Sequence, residues 1–148
     1  SSIDKSIVDI YPSEKDFTDT ELALHKAVEM DPDEIDIIGG TGSRADHFMT
    51  SVMNLKFCAD KNIKAAIYDK NNKIYLIENG IKKEKQYGEY VSLVPLSDII
   101  VTLEGFKYPL DKANVSFGTT ICQSNEIKEN EGCITVHKGI VAVCESKD

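Results

Sequence analysis

The chain has 148 residues, 41% of them hydrophobic and 28% charged, enough to bury a real core in one domain or two small ones. A formal net charge of −8 excludes broad nucleic-acid binding, which needs a basic face to neutralise phosphates. No window approaches the roughly 20 apolar residues of a membrane span, so no membrane partner is expected.

Four cysteines, Cys58, Cys122, Cys133 and Cys144, form no C-x-x-C pair. Without the charged and apolar regions of a signal peptide, a cytoplasmic address with reduced thiols is expected. Each cysteine then serves as a small buried hydrophobe rather than a zinc ligand.

In chain order, Ile7, Val8 and Ile10 suggest a short strand that Pro12 stops. Asp16 to Met30 predicts a helix: Thr18 and Glu21 make a T-x-x-E capping box, and Leu22, Ala23, Ala27 and Met30 follow at helical spacing. Ile35 to Ile38 predicts a buried strand. A glycine-rich corner follows (Gly39, Gly40, Thr41, Gly42), and a second helix is expected from about Arg44 to Ala59. Its apolar stripe of Phe48, Met49, Val52, Met53, Leu55 and Cys58 suits packing on a sheet.

From Ile63 the period changes to two. Ala65–Tyr68 and Lys73–Ile77 flank Asp-Lys-Asn-Asn, which predicts a hairpin with a polar turn. Asn79 to Glu89, rich in Lys, Glu and Gly, is the candidate linker. Six short β-like runs follow, at Tyr90–Leu96, Ile99–Leu103, Phe106–Leu110, Asn114–Phe117, Ile134–His137 and Ile140–Cys144. Each is bounded by turn formers such as Gly105, Pro109, Gly118, Gly132 and Gly139. They predict a small sandwich or barrel.

The corner between strand and helix is ready for an anion. Backbone N–H groups are free at a helix start, the dipole is positive there, and glycine lets a ligand approach the main chain. Ser43, three residues before Asp46, has the spacing of a helix N-cap. Arg44 can clamp a phosphate with its planar fork, or pair with a surface acid. Asp46 and His47 could bind a metal or accept a proton, or Asp46 could merely cap the helix.

Asp16 and Asp19 suit Mg2+, although acids also favour helix N-termini on electrostatic grounds alone. Ser124, Asn125 and Glu126 fit either a turn or a polar clip. His25, His47 and His137 carry no catalytic signature, and no Ser-His-Asp or Cys-His set is visible.

Three stretches together resemble the thiamine pyrophosphokinases: Tyr11–Leu24 (YPSEKDFTDTELAL), Ile37–Leu55 (IIGGTGSRADHFMTSVMNL), and the ordered segments VSLVPLS, TLEGFKYPL and SFGTTICQSNEI. The resemblance spans nearly the whole chain. It implies an α/β catalytic domain of strand–helix units on a mainly parallel sheet (1–80), followed by a small all-β sandwich (88–148). It further implies a homodimer with active sites at the subunit interface. The implied reaction moves pyrophosphate from ATP to the hydroxyethyl group of thiamine with Mg2+, giving thiamine diphosphate and AMP.

Residue by residue, the resemblance implies Asp16 and Asp19 near the metal, with Thr18 at the nucleotide. Thr41, Gly42 and Arg44 then hold phosphate, and Asp46 meets thiamine. Ser124 and Asn125 reach thiamine from the sandwich, from the partner subunit. Family members also carry an Asp-rich G-D-x-D-S type motif ahead of these segments. It is not among these 148 residues, so a catalytic domain incomplete at its N-terminus is expected. The competing expectation is a nucleotide- or thiamine-binding module that has lost part of its metal site.

Overall fold

A computed structural model describes residues 18–86 and 89–148. Its helices are α1 (Asp19–Glu29) and α2 (Ala45–Asp60). Its strands are β1 (Glu34–Ile38), β2 (Lys64–Tyr68), β3 (Asn72–Ile77), β4 (Gly80–Glu84), β5 (Glu89–Pro95), β6 (Ile99–Glu104), β7 (Leu110–Val115), β8 (Glu131–Lys138) and β9 (Val141–Lys147). The expected strand at Ile7–Ile10 and the helix residue Asp16 lie outside the described residues.

The strands make two sheets, one in the order β1-β2-β3-β9-β5 and the other β4-β8-β6-β7. Strands β1 and β2 run parallel, and the other pairings among the described residues are antiparallel. Side chains along β3 alternate between two cores, as strand geometry requires. Ile74 joins Leu55 of α2 and Ile67 on one face. Ile77 joins Val91, Leu93, Val101, Ile134, Val141 and Val143 on the other. Helices therefore cover one face of the five-stranded sheet, and the four-stranded sheet packs on the opposite face.

Two expectations change. A mainly parallel sheet followed by a separate sandwich is replaced by one mixed sheet shared between the two halves of the chain. The cause is β9, whose Val141, Ala142 and Val143 are all buried. A strand apolar on both faces is stable only at the centre of a sheet, and β9 lies between β3 and β5. The second change concerns the linker at Asn79–Glu89, which contains β4, paired among the described residues only with β8 at the edge of its sheet. Charged residues are favoured on such edges because they discourage further pairing. Gly80 permits the approach: a Cβ there would lie 2.3 Å from the Ile134 carbonyl oxygen.

Phe106 makes a single bridge to Ile127 rather than opening a strand. Gly105 causes this, with a left-handed φ of +78° against the Glu131 carbonyl. The helices hold to expectation. Thr18 caps α1 by accepting the Glu21 N–H at 3.2 Å, and His25 stacks on Phe57 of α2 with ring centroids 4.2 Å apart. Buried Leu24 joins Cys58 and Ile63 beneath that contact.

All four cysteines are free thiols. Among the described residues no helix is long and apolar enough to cross a membrane.

Candidate active site

The glycine corner follows directly from β1. Ile35 and Ile37 turn toward the helices, while the next residues must leave the sheet and enter α2. Gly39 makes the exit at φ +82°, a conformation an L side chain rarely adopts. Gly40 is a packing glycine, since a Cβ would sit 3.2 Å from Ile67 Cγ2 and 3.3 Å from Ile37 Cγ2. Gly42 faces open space, with nothing within 4 Å of an added Cβ. The three glycines thus serve turn, packing and access respectively.

Arg44, not Ser43, occupies the N-cap of α2, and it makes no side-chain capping bond. One first-turn donor is used locally, because the His47 N–H goes to Asp46 Oδ1 at 3.0 Å. The Arg44 side chain caps none of the others, and the positive end of the helix favours an anion. Arg44 and Asp46 meet in a two-point pair, Nε to Oδ1 at 3.1 Å and Nη2 to Oδ2 at 2.5 Å. Their side chains are 66% and 63% exposed. The Arg44 guanidinium holds the Asp46 carboxyl below its usual pKa, against an opposing effect of desolvation. Asp46 is therefore ionised at neutral pH.

The turn at 30–33 reverses the chain between α1 and β1. Eleven helical residues rise about 16 Å and five strand residues about 17 Å, so the start of α1 lies level with the end of β1. Thr18 and Asp19 consequently share the glycine corner's end of the sheet. Two helix N-termini point there, with Asp19 in the first turn of one and Asp46 in the first turn of the other.

Ser124 and Asn125 belong to the far edge. Asn125 exchanges backbone hydrogen bonds with Val91 of β5, and the Ser124 N–H reaches Ser92 Oγ at 2.8 Å. Ile37, Ile67, Ile74, Cys144 and Ser92 lie in one row across the sheet. Four strand spacings of about 4.8 Å separate the two edges, roughly 19 Å. Within one copy, the corner and this segment do not meet.

The two residues also differ in availability. Ser124 is exposed and left-handed at φ 55°. Asn125 is only 3% exposed. Its Oδ1 accepts from Tyr108 N and Glu126 N, at 3.1 and 2.9 Å, and its Nδ2 donates to the Tyr108 carbonyl.

Sequence reasoning missed Asp69. The register that sets Ile38 opposite Tyr68 brings the residue after Tyr68 beside the corner. Its carboxyl is lowered to about 2, first by the Thr41 hydroxyl and then by Asn71 and Asn72. In sequence it belongs to a polar hairpin turn, and only the neighbouring strand shows what it faces.

The whole assembly is an α/β layer ending in an anion-ready turn, backed by a second sheet. Residues 3–67 match the family model described as the thiamin pyrophosphokinase catalytic domain. Residues 78–141 match the thiamin pyrophosphokinase vitamin B1 binding domain. The thiamine pyrophosphokinase of Bacillus subtilis (strain 168) is 41% identical over 144 residues, covering 94% of this chain and 67% of that protein. The crystal structure of the Bacillus subtilis enzyme superposes with a TM-score of 0.87 at 41% identity, covering 93% of this chain and 66% of the other. That of the Geobacillus thermodenitrificans enzyme gives a TM-score of 0.83 at 35% identity, over 97% and 68%. The chain belongs to the thiamin pyrophosphokinase family, and it spans about two thirds of the length of these relatives.

Proposed function

We propose that the protein containing this chain transfers pyrophosphate from ATP to the hydroxyethyl oxygen of thiamine, releasing thiamine diphosphate and AMP. One observation carries the reading: the anion-ready corner falls inside the region matching the family's catalytic domain. Ser124 falls inside the region matching its vitamin B1 binding domain. In our reading residues 1–80 form the nucleotide-binding catalytic domain, and 88–148 the thiamine-binding and dimerisation domain.

The chemistry is positioning and charge neutralisation. The hydroxyethyl oxygen bonds to the β-phosphorus as the bond from that phosphorus to the α,β-bridging oxygen breaks. AMP departs with the bridging oxygen, and the hydroxyl proton passes to solvent. Backbone N–H groups of Thr41 and Gly42 hold phosphate oxygens. Arg44 assists with the guanidinium donors it does not give to Asp46. Asp46, ionised, accepts a hydrogen bond from the thiamine hydroxyl or aminopyrimidine. Thr18 stands at the nucleotide end.

Mg2+ would neutralise phosphate charge beside Asp16 and Asp19. Among the described residues no group of three or more His, Cys, Asp or Glu could hold a metal unaided. Mg2+ is commonly held by one or two carboxylates together with phosphate oxygens.

We also propose that the active unit is a homodimer. The roughly 19 Å between corner and clip is too far for one copy to clasp thiamine from both sides. A second copy must then bring its Ser124 to the first copy's corner, with Asn125 fixing the loop through the Tyr108 and Glu126 backbone. Exposed Tyr108 and Ile121, 61% and 70% accessible, lie next to that loop in contact or sequence and suit an interface. The free thiols of all four cysteines support a cytoplasmic address.

Incubation with ATP, Mg2+ and thiamine should yield AMP and thiamine diphosphate in equal amounts. Saturable binding of ATP or thiamine with neither product would replace the enzyme reading with a binding module.

A further inference from the structure

The loop that carries Ser124 is joined to β5 with one residue too many. Val91 and Asn125 exchange backbone hydrogen bonds at 2.8 and 3.1 Å, as an antiparallel bridge. The next bond along β5 runs from Leu93 N to the Cys122 carbonyl at 3.0 Å. Between these two anchors β5 has Ser92 alone, whereas the loop has both Gln123 and Ser124. Two residues facing one is the count of a β-bulge, where a left-handed residue is ordinarily glycine. Here the left-handed residue is Ser124, at φ 55°.

The extra residue changes what faces outward. Cys122 and Asn125 are buried, and Gln123 and Ser124 between them are both exposed. Alternation along a regular strand would turn one of the two inward. A bulge also leaves its extra residue out of the backbone ladder. The Ser124 N–H goes instead to the Ser92 hydroxyl oxygen, at 2.8 Å.

A serine in this conformation is strained, and such strain persists only where the surroundings over-determine it. On one side Asn125 is locked by its bonds to the Tyr108 and Glu126 backbone. Ser92 supplies the constraint at Ser124 itself. Glycine would remove the strain but would carry no hydroxyl. The strained serine therefore presents its side chain at a fixed place on the surface.

We propose that Ser92 is a positioning residue for thiamine binding, its hydroxyl fixing the bulge that presents the Ser124 side chain to thiamine. This rests on the proposed function above, in which Ser124 contacts thiamine. Ser92 itself touches neither substrate. It is half-buried on β5, which is hydrogen-bonded along its length to central β9, so the loop takes its rigidity from the sheet.

The test measures thiamine binding by calorimetry and KM for each substrate, on the whole protein. Ser92→Ala should weaken thiamine binding about 5-fold, the scale of one hydrogen bond between uncharged groups. KM for ATP should not change. Ser92→Thr, which keeps the hydroxyl, should bind thiamine like the parent. In a Ser124→Ala background, Ser92→Ala should weaken thiamine binding no further, because the hydroxyl it positions is gone. Ser92→Cys, close in shape but a weak acceptor, serves if the alanine variant does not fold, and should weaken thiamine binding likewise.

A folded Ser92→Ala or Ser92→Cys variant with parental thiamine affinity would overturn the proposal. So would a loss that Ser92→Thr shares, or one undiminished in the Ser124→Ala background. A parent protein that binds no thiamine would remove the functional reading itself, and this inference with it.

Discussion

Two of the constellations of cation and carboxylate among the described residues sit in opposite settings. Arg44 and Asp46 are about two-thirds exposed. Lys83, Glu89 and Glu145 are only 10–13% exposed, with Lys83 Nζ 2.6 Å from Glu145 and 3.2 Å from Glu89. The exposed pair sits in high dielectric, contributes little to stability and can exchange partners when phosphate arrives. The buried trio cannot, because each charge left alone there would cost several kcal/mol.

Position explains the contrast. Lys83 comes from β4 in one sheet, whereas Glu89 and Glu145 come from β5 and β9 in the other. The trio is a clamp between layers, and its pKa values follow. Burial raises Glu145, but Lys83 and the Tyr75 hydroxyl outweigh it and leave Glu145 below its ordinary value. For Glu89 burial prevails over Lys83 and the carboxyl ends raised. Glu89 Oε2 has no aligned hydrogen bond among the described residues, and the Lys83 ammonium 3.2 Å away is its ionic partner. Similar chemistry therefore serves two ends: where water reaches the pair it is available for ligands, and where water is excluded it fixes the fold.

Lys83→Met probes the buried side and should show the largest effect. It leaves two facing carboxylates without their cation, and unfolding in denaturant should reveal a loss of about 3–5 kcal/mol. An unchanged midpoint would mean that water reaches the trio. On the exposed side, Asp46→Asn should lower turnover about 100-fold, the scale of one lost electrostatic contact in a transition state. The midpoint of unfolding should not move measurably, because an exposed pair contributes little to stability. If both quantities fell together, the division between functional and structural pairs would fail.

The smallest effect concerns acid. Asp69 is lowered to about 2 from an ordinary 3.8, so its contribution is present above pH 3.8 and disappears as pH falls toward 2. Stability of Asp69→Asn should show a shallower decline across that window than the parent. Parallel declines would place the Asp69 partners in water.

How much was legible in the sequence depended on how local the cause was. Thr18 and Glu21 announce α1, and the apolar stripe from Phe48 to Cys58 announces α2, because caps and periodicity act within a few residues. The hairpin around Asp69 was equally plain. Sheet membership was not. The run Ile140–Cys144 shows a strand, yet nothing in it says that β3 and β5 are its neighbours.

Lys83 was hidden for a related reason. A lysine in a polar stretch suggests a linker until two distant acids turn it inward. At the site, the glycines and Arg44 stood out as a motif, whereas the place of Asp69 beside the corner depends on strand register. Asn125 illustrates the limit from the other side: its residue type suits a ligand contact, but its amide is occupied by the Tyr108 and Glu126 backbone.

The central claim is that the glycine corner of one copy and the Ser124 loop of another make one site. Mixing two separately inactive variants, Asp46→Asn and Ser124→Ala, tests it most directly, once subunits have exchanged. Mixed dimers then hold one intact site each, and activity should return to about a quarter of the parent level from random pairing in a two-fold assembly. Activity that stays at the level of the separate variants after demonstrated exchange would contradict the account.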